Sequence, residues 1–80
     1  MHLPSIRMLV EKNEIKDLEQ AETAILEGKK PSIEVPGADE GEQLTHVLAA
    51  IWIKKEMESK GIPLQDAIRA YTARVRTSIN

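Results

Sequence analysis

Two residues in this 80-residue chain stand at a spacing that could do chemistry, Glu42 and His46. Four positions apart, they share a face wherever the chain is helical. A carboxylate beside an imidazole can hold a metal or pass a proton, so a small metal-dependent or acid/base enzyme is one reading. The surrounding pattern does not extend it. A carboxylate-bridged di-iron helix needs Glu-x-x-His, and the residue three before His46 is Gln43. A zinc-protease helix needs a second His in register; the other histidine, His2, is near the chain start and reads as a mobile terminal residue. His46 is therefore expected as a partly exposed helix residue, with no metal or cofactor attached.

Other chemistries find less. Ser5, Ser32, Ser59 and Ser78 sit in no Gly-x-Ser-x-Gly elbow. The four glycines form neither standard phosphate-binding pattern. Gly37 and Gly41 lie in the loop before a helix whose N-terminus could receive an anion, but Asp39, Glu40 and Glu42 crowd it and would repel one. Arg69, Arg74 and Arg76 make the last segment locally basic and admit a helix-turn-helix reading. The net charge of −2 argues against nucleic acid, whose binders carry a basic excess.

Trp52 is the residue expected to matter most. It stands in Val47 to Ile53, a seven-residue apolar run. A helix apolar on all sides buries more than one face, and Trp is enriched at binding hot spots. Core packing and a subunit contact both fit. The interface reading takes Trp52 with Ile53, Ala49 and Met57, the small Ala49 permitting close helix approach.

These residues need helices to position them, and four are expected. The first runs from about Pro4 to Lys12, with Pro4 in its opening turn and Ile6, Leu9 and Val10 as its stripe. The second runs from about Glu14 to Glu27, with Asn13 as N-cap and Gly28 closing it. Its apolar face takes Ile15, Leu18, Ala21, Ile25 and Leu26. The third, from about Asp39 to Lys60, carries one face of Leu44, Val47, Leu48 and Ile51 and a second of Ala50, Ile53 and Met57, and ends at Gly61. The fourth runs from about Pro63 to Ile79, with Leu64, Ala67, Ile68, Tyr71, Val75 and Ile79 in a narrow stripe. The short Gly61-Ile62-Pro63 link makes the last two an antiparallel hairpin. Residues 29–40 form a linker punctuated by Pro31, Pro36 and Gly37. In it Ser32-Ile33-Glu34-Val35 alternates with period two, as a short extended stretch would, but it is too short to support a sheet.

Composition fits one helical domain over residues 1–80. Hydrophobic residues are 41%, charged residues 30%, and there is one Trp, one Tyr and no Phe. An aliphatic core on a charged background suits a helical bundle. No cysteine is present, which removes disulfides and thiolate metal sites. Chains this small often gain stability from a partner subunit. No apolar run approaches the ~20 residues that cross a bilayer, and no signal-peptide pattern opens the chain. A cytoplasmic protein is expected.

The opening Leu3-Pro4-x-Ile6 and the closing Gly61-x-Pro63-x-x-x-Ala67-x-x-x-Tyr71 resemble a family of short bacterial (Bacteroidota-like) helical proteins classed as a domain of unknown function. The resemblance implies a small helical cytoplasmic protein and brings no catalytic or binding residue with it. The expected architecture is all-α: a small four-helix, mainly antiparallel bundle with a C-terminal helical hairpin and a Pro/Gly-containing central loop. Its last two helices should form the rigid centre, with the first two packed across them. The expected function is protein–protein interaction, as a homodimer or an accessory subunit contacting through the third helix.

Overall fold

In the computed structural model the backbone is described for residues 2–79 and side chains for residues 2–76. Four helices follow in order: α1 (Leu3–Lys12), α2 (Ile15–Leu26), α3 (Glu40–Lys60) and α4 (Leu64–Ile79). Among the described residues there is no strand. The architecture is the expected small all-α bundle. Ser78 and Ile79 lie outside the described side chains.

The helix ends follow local chemistry. In α1, Pro4 sits in the first turn, where a missing N–H costs nothing. The N-cap of α2 is Glu14 rather than Asn13; its carboxylate and that of Asp17 form a reciprocal capping box. Asn13 instead closes α1, its side-chain amide donating to the Leu9 carbonyl at 3.1 Å. Asp39 caps α3 by accepting from the Glu42 N–H at 2.8 Å. Gly61 ends α3 at φ 62, a left-handed conformation that costs glycine little.

The helix α3 is the hub. It packs against α1, α2 and α4, and no other pair of helices shares a comparable contact. This corrects the expected layout: α4 does not share the centre with α3 but lies on one side of it. Two links fix the direction of α1. His2, at its start, bonds His46, and Val10, near its end, bonds Lys54, eight residues further along α3. The two helices therefore run parallel, while the tight turn at Gly61 sets α4 antiparallel. Three neighbours explain why α3 is apolar on most sides.

The core comprises Ile6, Leu9 and Val10 of α1, Leu18, Ala21 and Ile25 of α2, Val47, Ala49, Ala50, Ile51 and Ile53 of α3, and Ala67 and Ile68 of α4. Two assigned core positions are corrected. Leu26 and Leu48 are exposed, at 65% and 44%. Leu26 is the last residue of α2. Leu48 points to the side of α3 that no other helix covers. In the linker Val35 is buried and Ile33 half-buried, so the segment docks on the core without pairing as a strand. Gly37 (φ 151) turns the chain into α3; a Cβ there would lie 2.8 Å from the Gln43 backbone nitrogen, so the turn requires glycine.

Candidate functional site

His46 is buried, with 1% of its surface accessible, which corrects the expected half-exposed position. Both ring nitrogens are engaged. Nδ1 bonds the Pro36 carbonyl oxygen at 2.8 Å. Nε2 bonds the His2 backbone N–H at 3.1 Å. A carbonyl only accepts and an amide only donates, so the ring must donate from Nδ1 and accept at Nε2. That is the neutral Nδ1–H tautomer. One side chain of α3 thereby ties down both the start of α1 and the linker that leads into α3. His2 is held in the same contact, and its own ring reaches Ser5 Oγ at 2.8 Å; the expectation of a mobile terminus does not hold for it.

Glu42 and His46 are not brought together. The Glu42 carboxylate turns back and accepts from the Ala38 N–H at 2.8 Å. With the Asp39 cap, this braces the first turn of α3. The carboxylate–imidazole pair that opened the chemical reading is thus two separate structural devices. Among the described residues no three His, Asp or Glu side chains converge as a metal site would need.

Lys54 is the polar residue that sequence reasoning passed over. Its ammonium group donates to the Val10 carbonyl at 3.0 Å and to the Asn13 carbonyl. Both belong to the C-terminal end of α1, where carbonyls lack intrahelical partners and the helix dipole is negative. The periodicity of α3 marks Lys54 only as a charge within a mostly apolar stretch. That it caps another helix depends on the docking angle of α1. Lys54→Met keeps the aliphatic stem and removes the charged donor. The expected cost is about 1.5–3 kcal/mol, the worth of a hydrogen bond to a charged group, read by urea denaturation.

The four expected interface residues divide. Ala49 and Ile53 have no accessible surface. They are core within a single chain and offer nothing to a partner, which corrects that part of the expectation. Trp52 and Met57 are half-buried on the margin of the core. Trp52 meets Tyr71 of α4 with ring centroids 5.6 Å apart at 54°, and the Arg74 guanidinium lies 5.5 Å from the Trp52 ring. A tilted ring pair and a cation on an indole are both favourable. Leu48, exposed, sits four residues before Trp52, and Lys55 follows three after it; the Lys55 ammonium is 3.5 Å from Glu19 of α2. Leu44, half-buried, precedes Leu48 by one turn. These residues form a strip on α3 between α2 and α4.

The arginines of α4 are all exposed but do not form one stripe. Arg69 and Arg76 are seven apart and share a face, whereas Arg74 is turned toward Trp52. The clearest depressions are shallow. One of about 310 Å³ is lined by Lys16, Glu19, Gln20 and Thr23 of α2, and one of about 270 Å³ by Met8, Lys12, Asn13 and Glu34. In the first, the Thr23 hydroxyl donates to the Glu19 backbone carbonyl at 3.2 Å, a bond within its own helix.

Fold and site together define a small all-α bundle built round one central helix, with His46 and Lys54 of that helix holding distant backbone segments in place. The chain belongs to the family of unknown function DUF6952, which it matches over residues 1–80. No curated protein and no solved structure matches it. Among the described residues, no helix is long and apolar enough to cross a membrane.

Proposed function

We propose that the protein is a protein–protein interaction module, not an enzyme, and that it docks through the strip of α3 centred on Leu48 and edged by Trp52. It would act in the cytoplasm as a homo-oligomer or an accessory subunit, without a cofactor. The observation that carries the reading is Leu48 itself. It is a large aliphatic side chain, 44% exposed on the central helix, beside an indole. Burying these groups removes apolar surface from water, and an aromatic anchor of this kind is typical of binding hot spots. Lys55 and Glu19 supply a polar rim.

The alternatives have less to stand on. An acid/base or metal role for Glu42 and His46 needs groups that are already engaged elsewhere. A nucleic-acid face needs basic residues in one stripe, and one of the three arginines is spent on Trp52.

Leu48→Asp tests the reading in dilute protein. A docking residue is not needed for folding, so urea denaturation should show a change within about 0.5 kcal/mol, the range for surface substitutions. A loss of about 2 kcal/mol or more would make Leu48 a core residue and remove the reading.

A further inference from the structure

We propose that His46 is an acid-opened latch: its ring seats the first turn of α1 only while it is neutral, and a second proton on the ring releases that turn.

The argument is a count of donors and acceptors. Nδ1 of His46 donates to the Pro36 carbonyl, which leaves Nε2 as the acceptor of the His2 N–H at 3.1 Å. A second proton has only Nε2 to go to. There it would set one N–H against another, with neither able to accept. The contact is lost, and a buried cation is left without the partner that burial requires. The other histidine differs. The His2 ring meets the Ser5 hydroxyl, which can donate or accept, so that bond survives a proton on His2. Of the two histidines in the chain, His46 alone is wired so that charging it breaks a contact.

No carboxylate offsets the charge. Among the described residues none pairs with the His46 ring. The first turn of α1 holds no acidic residue. On the linker Glu34 and Asp39 are exposed, and Asp39 accepts from the Glu42 N–H. One turn before His46 on α3, the Glu42 carboxylate accepts from the Ala38 N–H. The nearby cations in sequence, Arg7 of α1 and Lys29 and Lys30 of the linker, are exposed. Lys54 is engaged at the far end of α1 and does not depend on an imidazole. Release therefore starts at the His2 end and uncovers Ile6, which is fully buried when the latch is closed.

The sign follows from linkage. Unfolding or opening frees the ring to take a proton that the closed latch cannot hold. Stability is therefore full at neutral pH and falls as pH drops through the histidine range, about pH 6.5 for an unconstrained side chain.

Amide exchange by NMR tests this between about pH 7.5 and about pH 5.5, a window above the ordinary carboxylate range. Protection factors at His2, Ser5 and Ile6 should fall about tenfold, the weight of one pH unit below the histidine range, and less at Val10. His46→Gln cannot titrate and should lose this pH dependence, whereas His2→Gln should keep it. Long-range proton–nitrogen spectra of the unmodified protein read the His46 ring directly and need no variant. They should show the Nδ1–H tautomer at neutral pH and a doubly protonated ring as protection is lost. A ring that charges while α1 keeps its protection overturns the latch. So does a ring that stays neutral at about pH 5.5 with α1 still seated, or a loss of protection that persists in His46→Gln.

Discussion

Ile53→Asp is expected to leave the chain without a stable fold at any protein concentration. Ile53 has no accessible surface and lies in the single core that all four helices share. Aspartate would bring a carboxylate into a site built of aliphatic groups. An unpaired buried charge costs several kcal/mol, and the whole stability of a small domain is only about 5–15 kcal/mol. The milder Ile53→Ala should fold but lose about 2–5 kcal/mol, the range for truncating a buried isoleucine. Helical circular dichroism through a urea titration reads both. The sequence reading placed Ile53 at a subunit contact, where Ile53→Asp would dissociate a dimer and leave the helices intact. A folded, monomeric Ile53→Asp protein would restore that reading and contradict the buried position.

His46→Leu is expected to cost about 2–4 kcal/mol. Leucine fills much of the ring's volume, so the loss reports the polar contacts. Two backbone groups would lose their partner together: the His2 N–H and the Pro36 carbonyl. Both contacts are partly buried, and a group left in such a place without its partner costs about 1–2 kcal/mol. The damage should be local as well as global. Amide exchange should quicken first at the start of α1 and in residues 33–38, because His46 joins those two segments. His46→Asn leaves the two segments one short polar side chain and should recover only part of the loss. If His46→Leu were as stable as the parent, the two bonds would contribute nothing and His46 would be free for another role.

Much of this molecule was legible in the residue order. The four helices, the left-handed glycines after α2 and α3 and the antiparallel α3–α4 hairpin all follow from local signals: caps, breakers and spacing. Such signals act over one or two turns, so they can be read without knowing what the helix touches. The family resemblance rested on the same positions, and the family now identified gives no site beyond them.

What the helices do to one another was settled only in three dimensions. Periodicity showed that α3 was apolar on several sides; it did not show which side would remain open. Leu48 and Ile53 are both large aliphatic residues on one helix, yet one is 44% exposed and the other fully buried. The difference depends on where α1, α2 and α4 dock, and that is set by contacts between residues far apart in the chain. His46 and Lys54 show the same limit for polar groups. Each partners backbone atoms more than 40 positions away. A backbone carbonyl or amide has no sequence identity of its own, so no pattern of residue types could have announced these bonds. The sequence by itself determined the helices and most of their ends; the tertiary structure decided that His46 and Lys54 of α3 fasten distant backbone segments, and that Leu48 on the same helix stays exposed.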